Sequence, residues 1–557
     1  MTGAFFKALS FTMAISLIVS FLLAWIVIPV LAARWLGPKD AHKESESNPG
    51  WLNRSYAAFM WPVLRFPLLV LLPIALLLAG GYFAYRHVQS GFIPQTDEGG
   101  FILDYNAAPG TSLAESDRLL RKVEAILHGT PEVQTYSRRT GLQLGGGLTE
   151  PNQGDFFIRL KPARQRGIEE IMDDVRKQVG HSVPGLQIET AQLMEDLIGD
   201  LTTVPQPIEV KVFSDDQKLL QELAPKVADL ISKVPGVVEV KPGIVYAGDA
   251  LDIRIDRVKA ALEGVDPDLV TRTLNDALSG NVATQVQEGP KLVGVRVWLP
   301  SKARAIDSDI LNLSIRSADG HVFPLSRIAT MTPITGQPEI NREDLQRMVA
   351  VTGRISGRDL GSTVQDVKQA IDKANILPNN VTYRLGGLYE QQRIAFQGLL
   401  VVIIASILLV FFLLLVLYES FKIAIAMLLV PLLALCAVII GLWLCGTEMN
   451  ITSIMGMTMV VGIVTEVGIF YYSEFLELPP GLSFRDRLTQ AGTRRARAIA
   501  MTTIAAILAL LPLALGMGAG AALQQPLAIA IIAGLIVQLP LVLVVLPALI
   551  ALFTRGT

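Results

Sequence analysis

Seven apolar stretches, near 9–33, 66–86, 395–418, 423–446, 451–475, 498–518 and 526–553, are each long enough to cross a bilayer as a helix, which takes roughly 20 residues. No other feature limits the fold so tightly. In hydrocarbon every backbone N–H and C=O must find its partner inside the chain, and segments of this length do that only as helices. The first stretch is too long for a signal-peptide core and has no convincing cleavage site, so it reads as a true span. Between the second and third stretches lies one polar region, 88–392, which has to fold in water. Composition carries the same division: 51% of the 557 residues are hydrophobic and 18% charged, with a mean hydropathy of +0.45. That is too apolar for a soluble chain and too charged for a bare bundle.

Basic residues orient the spans. Arg34, Lys39, Lys43, Arg54 and Arg65 lie between the first two stretches, and Arg485, Arg487, Arg494, Arg495 and Arg497 lie between the fifth and sixth. The loops at 447–450 and 519–525 carry no Lys or Arg. By the positive-inside rule the basic loops are cytoplasmic and the 88–392 region is external. The N-terminus then starts outside with no signal ahead of it, which suggests a sequence that begins in the middle of something larger.

Several function classes drop out. A net charge of −2 gives no nucleic-acid footprint. Cys436 and Cys445, nine residues apart on one apolar run, would lie about 13 Å apart on a helix, too far for a disulfide. The external region has no cysteine, and His42, His87, His128, His181 and His321 form no HxxxH or HExxH pattern, so no metal site and no cofactor are assigned. The glycine run Thr140-Gly-Leu-Gln-Leu-Gly-Gly-Gly-Leu-Thr149 is followed by no Gly-Lys-Ser/Thr. With no P-loop and no nucleophile elbow, neither ATP hydrolysis nor another enzymatic reaction is expected of this chain.

The external region reads as α/β. Phe101–Ala107, Val133–Arg139, Asp155–Lys161 and Leu186–Thr190 read as strands, with helices at Ser112–His128 and Ile168–Val179. That order is the split βαβ pattern of a ferredoxin-like sandwich. A second pass starts with strand Ile208–Phe213, helix Gln217–Val234 and strands Val237–Lys241 and Leu251–Ile255. It resumes with Met348–Ile355, Leu360–Ala374 and Val381–Leu385. The stretch 257–337 is then an insertion with a helix at Pro267–Leu278 and strands at Thr284–Gln287 and Val293–Leu299.

Glu466 is the residue to explain, a carboxylate inside the fifth stretch, about 13 Å from its cytoplasmic end. Such a group costs about 2.5–3.5 kcal/mol unless it has a partner, water or a proton. A carboxyl group taken out of water holds a proton more readily, so a proton or ion relay is the functional reading; a neutral interhelical hydrogen-bonder is the plain one. Met459, Gly462 and Ser473 share its helical face, and small residues there favour a side chain facing other helices. Arg495 and Thr502, seven residues apart, share one face of the next span and could order water towards Glu466. The plain reading of Arg495 is a membrane anchor. In the external region Leu142, Leu144 and Phe157 flank the glycine run and could line a substrate path; a hairpin over a core is the alternative.

The chain resembles the resistance-nodulation-cell division (RND) transporters over essentially its whole length. The resemblance rests on Thr2-Gly-Ala-Phe-Phe-Lys7 with Pro29-Val-Leu-Ala-Ala-Arg34, and on Gly91-Phe-Ile-Pro-Gln-Thr-Asp-Glu-Gly-Gly100 with Pro109-Gly-Thr111. It continues in Gly462-Ile-Val-Thr-Glu-Val-Gly-Ile469 and in Arg497-Ala-Ile-Ala-Met-Thr502 with Leu511-Pro-Leu-Ala-Leu515 and Gly518-Ala-Gly520. The resemblance implies the C-terminal half of a twelve-span proton-driven efflux pump, holding spans six to twelve. It implies an α-helical membrane bundle plus two ferredoxin-like porter subdomains and an inserted docking subdomain. The implied division is 1–36 first span, 37–65 cytoplasmic segment, 66–87 second span, 88–205 first porter subdomain, 206–256 with 338–392 second porter subdomain, 257–337 docking insertion and 393–557 five-span bundle. Implied partners are the N-terminal half, two further copies in a homotrimer, a periplasmic adaptor, an outer-membrane channel and the lipid of a bacterial inner membrane.

Two departures matter. The family's paired aspartates lie on a span this chain does not contain, so the relay is incomplete here. Glu466 stands where drug-exporting members carry lysine, which is similar to the metal-exporting branch. Asp196 and Val282 occupy positions where copper and silver exporters carry methionine. Glu195, Asp196 and Asp200 read first as a solvated acidic turn and second as ligands for a harder cation such as zinc. The competing reading of the whole chain is a non-transporting membrane protein whose external domain serves as a binding or assembly scaffold.

Overall fold

The computed structural model describes residues 2–35, 51–94, 96–142, 149–202, 206–245, 250–304, 306–334, 339–479, 481–518 and 520–554. Seven of its helices are long and apolar enough to cross a membrane: Ala14–Trp35, Pro67–His87, Gly387–Tyr418, Phe421–Leu444, Ile451–Glu477, Phe484–Ala514 and Ala521–Thr554. Phe421–Leu444, Ile451–Glu477 and Ala521–Thr554 form the centre of the bundle, sharing one apolar cluster that includes Met427, Val460, Val464, Tyr471 and Leu546. Small residues let these helices approach: a Cβ on Gly456 would lie 2.7 Å from that of Ala530, and one on Gly534 2.7 Å from Val460. Asn450 and Ser453 cap the start of the Ile451–Glu477 helix reciprocally. A short amphipathic helix, Trp51–Arg65, docks where the bundle's last helix opens into a π-turn at Leu541–Val545; Tyr56 Oη donates to the Leu543 carbonyl at 2.7 Å.

The region between the second and third long helices holds two α/β lobes. The first sheet comprises β1 (Gly100–Ala107), β2 (Val133–Thr140), β3 (Gln153–Leu160) and β4 (Leu186–Gln192) in the order β2-β3-β1-β4, all antiparallel. Helices Leu113–Gly129 and Ile168–Ser182 cover one face, closing a core of Phe101, Leu103, Tyr105, Phe156, Ile158, Leu120 and Val175. Alternation along the strands sends Phe101 and Leu103 inward and Ile102 and Asp104 to the other face. This is the split βαβ arrangement.

The second sheet is built from β5 (Ile208–Phe213), β6 (Val237–Lys241), β13 (Asn341–Glu343), β14 (Gln346–Ile355) and β15 (Thr382–Gly386), with β14 beside β5 and β5 beside β15; helices Gln217–Ile231 and Leu360–Ala374 back it. Leu251–Ile255, expected to continue this lobe, does not join its sheet. As β7 (Ala250–Ile255) it pairs with β12 (Ala329–Ile334), because the insertion leaves and returns as one antiparallel ribbon. Within the insertion, β8 (Asn281–Glu288) and β9 (Lys291–Val297) form a hairpin exposed along its whole length, and β10 (Ser314–Arg316) pairs with β11 (Val322–Pro324).

One extended segment ties the lobes to the bundle. Met449 N donates to Gln89 O at 2.7 Å and Gly91 N to Met449 O at 3.2 Å, while Ser90 N meets Asp359 Oδ2 at 3.2 Å at the start of the Leu360–Ala374 helix. Gln89–Phe92 is therefore a strap between the loop that precedes the Glu466 helix and the second lobe.

Candidate functional site

Glu466 lies on an exposed face of the Ile451–Glu477 helix, with Gly462 and Phe470 also exposed beside it. Val464, Val467 and Gly468 point the other way, into the packed centre, where Gly468 faces Met427 and Leu546. The expectation that Glu466 faces other helices is thus not met by the helices described here: its face is the uncovered one.

Arg495 is not brought to Glu466. Its Nε donates to Glu474 Oε2 at 2.9 Å, and Arg494 Nη1 reaches Glu474 Oε1 at 3.2 Å. Glu474 is only 8% exposed and sits eight residues beyond Glu466, about 12 Å along the axis. Glu474 lies within the fifth apolar stretch, 451–475, one residue from its end, and sequence reasoning that singled out Glu466 missed it. Two basic residues on the next helix were the available signal. Thr502 is exposed, and its hydroxyl donates back to the carbonyls of Ala498 and Ile499.

In the first lobe, Phe157 lies opposite Ser137 and Ile102, half-buried on the sheet face away from the helices. Leu142 is likewise half-buried at the end of β2, and Leu144 lies outside the described residues. Cross-strand register gives Phe157 acidic company: Asp104 stands opposite Asp155 on one side and Glu189 on the other. Burial pushes the Asp104 carboxyl up to about 7, with Asp196, Glu189 and Asp155 adding to the rise and Arg354 opposing it. Asp155 is fully buried but held by Arg139, whose Nε and Nη2 both donate at 2.6 Å.

A cavity of about 510 Å³ opens below this face, where the lobes meet the bundle. Glu98, Glu169, Glu195, Asp359 and Glu448 line it against a single basic residue, Arg358, and Met194 adds a thioether. Burial raises the Glu98, Glu169 and Glu448 carboxyls, Glu448 to about 7 with help from Asp359. These carboxylates do not converge: among the described residues no group of three or more His, Cys, Asp or Glu is placed to hold a metal ion. Of the acidic turn, Glu195 accepts from Arg354 Nη1 at 3.0 Å, and the side chain of Asp200 lies outside the described residues. The arrangement favours cations over anions and offers room for a hydrated ion or a small organic cation rather than a tight coordination cage.

The chain is thus an apolar bundle with a carboxylate in mid-helix, joined to twin split-βαβ lobes with an acid-lined cavity at their base. The AcrB/AcrD/AcrF family matches residues 1–554, and the chain belongs to it, as an RND-type permease. Among similar proteins, the cobalt-zinc-cadmium resistance protein CzcA of Cupriavidus metallidurans is 29% identical over 537 residues, covering 94% of this chain and 50% of the relative. The nickel and cobalt resistance protein CnrA of the same organism is 27% identical, covering 94% and 50%. The cation efflux system protein CusA of Escherichia coli K12 is 25% identical, covering 93% and 51%. The crystal structure of a heavy metal efflux pump superposes with a TM-score of 0.80 at 24% identity, over 96% of this chain and 54% of that one. The chain thus spans about half the length of the relatives it matches.

Proposed function

We propose that this chain is the C-terminal half of a proton-driven efflux permease in a bacterial inner membrane, with its lobes in the periplasm and metal cations as cargo. The seven long helices serve as spans six to twelve. Residues 88–205 and 206–256 with 338–392 act as porter subdomains, and 257–337 as the docking insertion. The working assembly is a homotrimer of the complete transporter with an adaptor and an outer-membrane channel. Glu466 is the proton relay, and Thr502 with Arg495 shapes the water that reaches it; the Arg495–Glu474 pair is the resting arrangement of that end. Leu142, Leu144 and Phe157 border the cargo path.

The observation that carries this reading is Glu466. A carboxylate on an uncovered mid-helix face of an apolar helix costs about 2.5–3.5 kcal/mol, a cost that a transport function explains. The cargo class is supported by the acidic sheet face and cavity and by the metal names of the relatives. The test is tolerance of a pump-deficient bacterium expressing the complete transporter, challenged separately with zinc, cobalt, nickel, copper, silver and organic cations. Protection against a divalent metal, lost in Glu466→Gln at equal expression, supports the reading. Protection only against organic compounds overturns the cargo assignment, and full protection by Glu466→Gln overturns the relay.

A further inference from the structure

We propose that Arg354 and Glu239 form an ionic clasp across the two external lobes, and that releasing it is what opens the cleft between them. Glu239 is on β6 of the second lobe, yet its carboxylate is spent on the first. Thr190 of β4 donates to it from its backbone N–H at 3.1 Å and its hydroxyl at 3.0 Å, and Arg176 Nε donates at 2.6 Å. The Glu239 side chain is only 3% exposed. Its backbone sits at φ +51°, the left-handed region, where a non-glycine residue costs about 1 kcal/mol or more. Glycine would occupy this position without strain, so the carboxylate is what justifies the residue.

Arg354 makes a second crossing in the same direction. It projects from β14 of the second lobe, on the sheet face opposite Val349, Val351 and Gly353. The neighbouring β6 carries one extra residue here, between Val238 and Lys241, and that bulge holds Glu239. Arg354 Nη1 bonds Glu195 Oε1 at 3.0 Å, but its Nε lies 3.6 Å from Glu239 Oε2, too far for a hydrogen bond, in a residue 4% exposed. Lys241 to Glu189 and Ser356 to Asp173 complete the seam.

The chemistry of this seam is that of a latch rather than a weld. Buried ion pairs come close to breaking even against hydration, so charges that separate into water lose little, whereas an apolar seam of the same extent would hold the lobes shut. The unsatisfied Nε lowers the barrier to parting further. Asp104 sits beside the clasp with Asp196, Glu189 and Asp155 of its own lobe, and Arg354 reaches it from the second lobe.

The experiment is a pulsed electron-spin distance measurement on the complete transporter in lipid nanodiscs. Spin labels are placed at Lys177→Cys and Lys368→Cys, exposed positions on helices of the first and second lobes, with Cys436 and Cys445 replaced by serine. The short-distance population is expected to dominate in the parent protein, and the long-distance population in Arg354→Ala and in the near-isosteric Glu239→Gln. Arg354→Lys, which keeps the charge and loses the fork, is expected to fall between, and size-exclusion elution checks assembly of each variant. Parent-like distances in both Arg354→Ala and Glu239→Gln overturn the clasp. The measurement needs no cargo, so it stands or falls separately from export.

Discussion

Glu448→Gln is the most informative single substitution at the junction of lobes and bundle. Glu448 precedes the Glu466 helix and packs against the strap, where a Cβ on Gly91 would lie 2.1 Å from Glu448 Oε2. Burial and the nearby Asp359 raise its carboxyl from 4.5 to about 7. When the strap lifts, Glu448 returns to water and to its ordinary value. The docked strap is therefore fully favoured below 4.5 and loses that contribution as pH rises through 7. A shift of this size corresponds to about 3 kcal/mol at full ionisation, or about 2 kcal/mol allowing for partial contact with water. Glutamine keeps the shape and removes the charge. Amide hydrogen exchange, corrected for intrinsic rates, reads the opening directly at Gly91 and Met449, whose N–H groups bond Met449 O and Gln89 O. Glu448→Gln is expected to raise their protection about thirtyfold at pH 8 and to leave it unchanged at pH 4. Equal changes at both pH values, or weaker protection at pH 8, would refute the reasoning.

Two further substitutions separate packing from function. Phe156→Ala removes a fully buried ring from the first lobe and is expected to cost about 3–5 kcal/mol in denaturant unfolding. Phe157→Ala, one residue on and on the open face, is expected to cost under about 1 kcal/mol while lowering cargo tolerance; a stability loss as large as that of Phe156→Ala would put Phe157 in the core instead. Glu474→Gln leaves Arg494 and Arg495 without their carboxylate, and because both guanidiniums reach water the loss is expected to be about 1–2 kcal/mol in detergent unfolding. No measurable loss would make that pair incidental.

The long helices and the strands of both lobes were legible because hydropathy and period-two alternation are dictated by solvent on each side of a backbone. What escaped depends on neighbours far along the chain. Arg354 keeps the alternation, on the face opposite Val349, Val351 and Gly353, and is buried there only because the first lobe meets it. Glu239 adopts a left-handed φ without being glycine, so no turn residue announces it. Leu251–Ile255 has strand character wherever it pairs, and only the return of the insertion at Ala329–Ile334 fixes its partner. Glu474 stands out only once Arg494 and Arg495 of the next helix close on it.

Glu466 carries the central claim, and proton flux tests it most directly. The complete transporter is reconstituted in vesicles holding a pH-sensitive dye, a pH gradient is imposed, and a divalent cation is added as cargo. Cation-stimulated proton movement is expected in the parent protein and its loss in Glu466→Gln, with cation binding to the external lobes unchanged. Undiminished proton movement through Glu466→Gln would contradict the account.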